Sequence, residues 1–258
     1  MEILVADRLI KDFGGLRVLN EASLTVTEGT ITGLVGPNGS GKTTFFNVLY
    51  GLLKPDGGSI HFRGEPITGL PPYRIYRKGM ALGFQIPRLI SRLTVLDNLL
   101  LAVRQEDGTG LGTALFARRH WQEKEKGLTY KAREILELVE LAPLALKPAG
   151  ELSGGQRKLL EIGRALMADP VMLLLDEPAA GVNPVLGRKI YATLERLQRE
   201  KGLTFLVIEH RLEMLLDFAH YVYLMDAGRI VLAGKPAEVI AHPDFYTIYA
   251  GESYQWLS

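Results

Sequence analysis

The chain contains no cysteine, which excludes a disulfide framework, a thiolate nucleophile and a cysteine-based zinc site. It also lacks an excess of either charge. The 30 Lys and Arg nearly cancel the 29 Asp and Glu, leaving a net charge of +1. That balance gives no electrostatic reason to expect nucleic acid as the main partner. Long apolar runs are missing too. A membrane-spanning helix needs roughly 20 mostly apolar residues, and stretches such as Val171 to Leu175 are far shorter. The opening Met1-Glu2-Ile3-Leu4-Val5-Ala6-Asp7-Arg8 has an acid at its second position and only a short apolar run, so it is not read as a signal peptide. What remains is a chain of 258 residues, 47% hydrophobic and 23% charged, in the range of a soluble globular protein with a sizeable core. The expected location is cytoplasmic. If the protein works at a membrane, something else must hold it there.

Ile31 to Val35, Val171 to Leu175 and Phe205 to Ile208 are apolar without alternation, the pattern of strands covered on both faces of a parallel sheet. Ala22 to Val26 and Ser59 to Phe62 resemble half-buried strands, broken by Glu28-Gly29 and Pro55-Asp56-Gly57-Gly58, and predict an antiparallel sheet beside the parallel one. From Leu93 to about Met167 no strand is evident. Ala132, Ile135, Leu136 and Val139 share one helix face, and Leu159, Ile162, Gly163 and Leu166 share another on a helix that should stop at Asp169-Pro170. Asn183-Pro184 suits a helix start and Gly202 its end. Tyr221 to Met225, Asp226-Ala227-Gly228 and Arg229 to Ala233 form a hairpin pattern. The expected architecture is one α/β domain over 1–258. Its core with the antiparallel part spans about 1–92 and 168–258, and a helical subdomain is inserted at about 93–167.

Three segments carry chemistry. Gly36-Pro37-Asn38-Gly39-Ser40-Gly41-Lys42-Thr43 fits G-x-x-x-x-G-K-[ST] after a buried strand and before a helix, with Thr44 next in line. Glycines let backbone N–H groups approach phosphates, Lys42 can neutralise the β/γ-phosphates, and Thr43 offers a hydroxyl to Mg²⁺. The alternative is a plain glycine turn. Asp176 and Glu177 end the second buried strand. There Asp176 can hold a metal through water and Glu177 can polarise an attacking water. Taken alone, the pair can also be a helix cap. Leu152-Ser153-Gly154-Gly155-Gln156 has an N-cap Ser and two glycines able to present N–H groups to an anion. From five residues alone, an ordinary capped helix is an equal reading.

In this order, the phosphate loop, Leu152 to Gln156 and the Asp176-Glu177 strand closely resemble the ATP-binding-cassette (ABC) ATPases. The likeness runs from about Leu9 to the C-terminus and implies a P-loop NTPase core that binds ATP and Mg²⁺. It implies a glutamine sensing metal and water near the transporter contact at Gln85, and a histidine contacting the γ-phosphate at His210. Phe13 falls where the family places an aromatic ring against adenine, with a core-filling Phe as the equal alternative. Also implied is a head-to-tail dimer in which each ATP lies between one phosphate loop and the Ser153-Gly154-Gly155-Gln156 of the other chain. Permease subunits in the membrane would be driven by it.

Phe13-Gly14-Gly15-Leu16, Ala179 to Pro184, the segment Gly108 to Lys126 and the ending Ile248 to Glu252 resemble the branched-chain amino acid uptake ATPases. That branch implies a separate solute-binding protein. The lipopolysaccharide-export ATPases share several of these features. Tyr254 and Trp256 either dock on the fold or touch a partner. Asn183 and Arg211 depart from the family, which often has Asp at both places. A soluble ABC-type ATPase acting on ribosomes or DNA fits less well, because one phosphate loop, no long heptad stretch and a balanced charge argue against it. A binding module without turnover is disfavoured by the presence of Lys42, Asp176, Glu177 and His210.

Overall fold

Apolar runs without a polar face are stable only where both sides of the strand are covered. The computed structural model describes residues 1–83, 89–103, 118–209 and 212–249, with side chains at 118–125, 212, 213 and 246 excepted. In it Ile31–Val35 and Thr204–Ile208 are buried along their whole length. The strands are β1 (Glu2–Phe13), β2 (Leu16–Thr27), β3 (Ile31–Val35), β4 (Gly57–Phe62), β5 (Glu65–Pro66), β6 (Met80–Gly83), β7 (Met172–Asp176), β8 (Thr204–Ile208), β9 (Tyr221–Asp226) and β10 (Arg229–Gly234). They form two sheets. One has the order β2-β1-β4-β5, and its pairings are antiparallel; the other has the order β10-β9-β3-β8-β7-β6. In the second sheet β9, β3, β8, β7 and β6 are parallel, and β10 returns antiparallel beside β9.

Alternate residues of the parallel strands feed two cores. Leu34, Met80, Met172, Leu174, Leu206 and Ile208 face the antiparallel sheet and the helix Lys42–Leu49, which inserts Phe45 and Phe46. Ile31, Val35, Leu173, Leu175, Phe205 and Val207 face the layer of helices that includes Pro184–Lys201. Each such side chain, once fully buried, contributes about 1.5–3 kcal/mol. The two sheets are tied by the Tyr223 hydroxyl, which donates to the Thr25 carbonyl at 2.8 Å.

Between β6 and β7 the described residues contain no strand of a sheet. Helices Val95–Leu100, Arg118–Leu138 and Gly154–Leu166 pack there through Leu99, Ala132, Ile135, Leu136, Leu159 and Ile162. The last of these helices ends at Leu166 with Met167 as C-cap, before Asp169-Pro170, because the residue preceding a proline is pushed out of the helical region. Helix Pro184–Lys201 begins with Asn183, whose side chain accepts from Leu186 N–H at 2.9 Å, and ends at left-handed Gly202. The hairpin β9–β10 forms as predicted, as do the buried strands. The strand β1 was not foreseen: Arg8 in it has φ 45°, and its pairing with β2 carries several register shifts.

Candidate functional site

The parallel strands deliver their carboxyl ends to one edge, the edge where open α/β sheets bind ligands. Register places Leu34 beside Ile208, Ile208 beside Asp176, and Leu175 beside Gly83. The phosphate loop therefore leaves β3 with only β8 between it and the Asp176-Glu177 end of β7.

Within the loop, Gly36 has φ 153°, and a Cβ there would stand 2.0 Å from the Met225 carbonyl oxygen. Only glycine lets the loop turn that close to β9. Asn38 and Gly39 are exposed at its tip and Pro37 is half-buried. Lys42 is 5% exposed and donates to the Gly36 and Pro37 carbonyls, each at 2.8 Å. Burial pushes the Lys42 ammonium below the usual lysine range, opposed by the charges of Glu177 and Asp176. The Ser40 hydroxyl is enclosed by the loop and has no hydrogen-bond partner in the structure. An orphaned hydroxyl in a glycine-rich cradle fits a phosphate acceptor. Thr43 is exposed and Thr44 half-buried, just inside the helix that begins at Lys42 after left-handed Gly41.

Asp176 is half-buried at the end of β7. Glu177 follows with φ 50°, a conformation costing a non-glycine residue about 1–2 kcal/mol. Its N–H bonds the Ile208 carbonyl at 2.9 Å and its own carbonyl accepts from Ala180 N–H at 3.0 Å. Such strain, held by surrounding bonds, marks a residue whose aim matters. Among the described residues no group of three or more His, Cys, Asp or Glu forms a metal cluster. Thr43 and Asp176 suit a hard cation that keeps waters and takes its other ligands from phosphates.

Phe13 is 44% exposed, so it does not fill the core. It lies at the β1–β2 turn, paired with exposed Leu16. Asn20 N–H bonds the Gly228 carbonyl, and Gly228 N–H bonds the Ser40 carbonyl at 2.9 Å, so strand β2 is tied to the phosphate loop. Ser153 caps helix Gly154–Leu166 in a capping box, accepting from Gln156 N–H at 3.3 Å while the Gln156 side chain accepts from Ser153 N–H at 2.9 Å. The two glycines differ. Gly154 is open, whereas Gly155 is buried against Leu186. Gln85, His210, Arg211, residues 108–117 of the segment running to Lys126, and the terminal Tyr254 and Trp256 lie outside the described residues.

Two groups escaped the sequence reading. Lys158, on the helix capped by Ser153, reaches the Glu177 carbonyl at 3.5 Å. Glu209, 2% exposed, accepts from Ala179 N–H at 3.1 Å. The only signal for Glu209 was a lone acid directly after an apolar strand.

A phosphate loop after a central parallel strand, with an Asp-Glu pair ending the strand two places away, defines a P-loop nucleotide-hydrolysing α/β protein. The family profile described as "ABC transporter" matches residues 19–180. The chain is 41% identical over 256 residues to "Probable branched-chain amino acid transport ATP-binding protein LivG" of Methanocaldococcus jannaschii, covering 98% of both chains. It is 37% identical to "High-affinity branched-chain amino acid transport ATP-binding protein BraF" of Pseudomonas aeruginosa, covering 97% of this chain and 98% of that one. A crystal structure of an ATP-binding cassette of an ABC transporter in its ADP conformation superposes with a TM-score of 0.86 at 41% identity, covering 98% of this chain and 100% of that one. The chain therefore belongs to the ABC transporter family and is an ATP-binding, ATP-hydrolysing subunit of it.

Proposed function

We propose that this ATPase powers uptake of branched-chain or similar hydrophobic amino acids through permease subunits in the membrane. The observation that carries the solute is the full-length similarity to relatives named for branched-chain amino acid transport. Among the described residues no helix is long and apolar enough to cross a membrane. We accordingly place the protein on the cytoplasmic face as a peripheral subunit, with a separate solute-binding protein supplying the permease.

In the catalytic site, the loop Gly36 to Thr44 wraps the phosphates, the Ser40 hydroxyl binds a phosphate oxygen, and Lys42 turns from its loop carbonyls to the β/γ-phosphates. Thr43 and Asp176 hold Mg²⁺ in this reading, and that ion supplies charge neutralisation on the phosphates. Glu177, aimed by its left-handed backbone, orients and polarises the water that attacks the γ-phosphate. By sequence position and family resemblance, Gln85 senses metal and water after β6, and His210 contacts the γ-phosphate after β8. Phe13 stacks on the adenine. Ser153 to Gln156 close over the ATP of a second cassette. A dimeric ATP-binding cassette bound to ADP and Pi, 25% identical with a TM-score of 0.72, supports that arrangement.

Glu177→Gln tests the site. Expected is retained ATP binding with hydrolysis reduced about a hundredfold or more, and a shift from monomer to dimer on sizing at saturating ATP and Mg²⁺. Chelating Mg²⁺ should abolish turnover of the unsubstituted protein. Normal hydrolysis by the Gln variant removes Glu177 from its role, and a variant that stays monomeric with ATP bound removes the sandwich.

A further inference from the structure

The turn that aims Glu177 is held from more than one side. From β8 and its end, the Ile208 carbonyl accepts Glu177 N–H, and the Glu209 carboxylate accepts Ala179 N–H at 3.1 Å. From the helix Gly154–Leu166 comes Lys158, whose Nζ lies 3.5 Å from the Glu177 carbonyl. That helix packs on Val95–Leu100 and Arg118–Leu138, so Lys158 joins the helical segment to the end of β7 within one chain.

Lys158 is half-buried, and burial lowers its pKa against the raising effect of Glu177, Glu209, Asp176 and Glu161. Burying an ammonium is unfavourable unless opposite charge compensates it. Here the negative charge of Glu177, Glu209, Asp176 and Glu161 supplies that compensation, three of the four standing at the ends of β7 and β8. Beside it a small cleft is bounded by Gly83, Asp176 and Pro178, so the lysine stands where β6 and β7 end. The Glu161 carboxylate is itself bound by Arg164 at 3.1 Å.

We propose that Lys158 is a positioning residue for hydrolysis. It clamps the carbonyl of left-handed Glu177, and its ammonium screens the cluster of acids around it. The contact is at the outer limit of a hydrogen bond. A displacement of the capped helix by about 1 Å toward the turn shortens it, and the same displacement away breaks it. The position of the helical segment is thereby read at the catalytic carboxylate. This rests on the reading of Glu177 as the residue that orients the attacking water.

The test uses the full chain with Lys158→Met, Lys158→Arg, Glu177→Gln and the Met/Gln double variant. Lys158→Met is expected to lower kcat about tenfold while ATP affinity and KM stay within about threefold. Lys158→Arg, which keeps a donor and a charge, should restore most of the rate. In the Glu177→Gln background, Lys158→Met should remove little further residual activity, because the clamp then has no carboxylate to aim. A kcat for Lys158→Met within about twofold of the unsubstituted protein overturns the proposal. So does loss of ATP binding in step with kcat, failure of Arg to rescue, or a full additive loss in the double variant. Normal hydrolysis by Glu177→Gln alone instead overturns the Glu177 reading. An inactive Gln variant beside a fully active Met variant isolates the failure to Lys158.

Discussion

Replacing Gly36 with alanine tests whether the phosphate loop depends on its approach to β9. The added Cβ would stand 2.0 Å from the Met225 carbonyl oxygen and 3.0 Å from the Ser40 hydroxyl. Met225 is 0% exposed and lies within β9, so the obstacle is strand backbone, which no side-chain rotation relieves. Unfavourable backbone conformation costs about 1–3 kcal/mol and overpacking another 1–3, giving about 2–6 kcal/mol together. For a chain of this size each kcal/mol lowers Tm by about 2–4 °C, so a loss of roughly 4–24 °C is expected. Gly39→Ala is the internal control. Gly39 also has positive φ, at 80°, but no atom lies within 4 Å of its added Cβ. Only the conformational cost of about 1–2 kcal/mol remains, or roughly 2–8 °C. Thermal unfolding of both variants, with ATP binding measured alongside, separates close approach from backbone strain. Gly36→Ala should also weaken ATP binding, because the loop can accommodate the methyl only by moving away from β9. Equal melting temperatures for the two variants, or unchanged ATP affinity in Gly36→Ala, would refute the reasoning.

Substitutions at two further positions probe the neighbourhood. Asn183→Ala removes the acceptor for Leu186 N–H and should cost about 1 kcal/mol, or about 2–4 °C in Tm. Asn183→Asp keeps the cap and should melt with the unsubstituted chain, so any change it makes in ATPase rate reports coupling between sites rather than stability. Phe13→Ala removes the exposed ring at the β1–β2 turn. Loss of adenine stacking worth about 1–3 kcal/mol should raise the KM for ATP about tenfold with little change in kcat. An unchanged KM would return Phe13 to an ordinary surface residue.

The phosphate loop, the buried strands and the Asn183 cap were legible because each is encoded by neighbouring residues: fixed glycines, an apolar run, a polar cap before proline. Strand β1 was hidden because its bulges break the alternation that exposes a half-buried strand, as Arg8 at φ 45° shows. Four-residue β6 is too short to carry a period. Phe13 had two equal readings, and only its exposure excludes the core. Lys158 was illegible for a different reason. Helical periodicity assigns its helix's apolar face to Leu159, Ile162 and Leu166 and leaves Lys158 among the polar positions. Its meaning appears only when a helix from one part of the chain meets a strand end from another. Glu209 acquires its partner, Ala179, in the same long-range way.

The central claim joins this ATPase to amino acid uptake, and radiolabelled leucine, isoleucine and valine transport in cells lacking the gene measures it directly. With no redundant system present, uptake should fall to background, return with the unsubstituted gene, and stay absent with Glu177→Gln expressed to the same level. Normal uptake in the deletion strain would contradict the assignment of these solutes, and full rescue by the Gln variant would contradict the coupling of Glu177-dependent hydrolysis to transport.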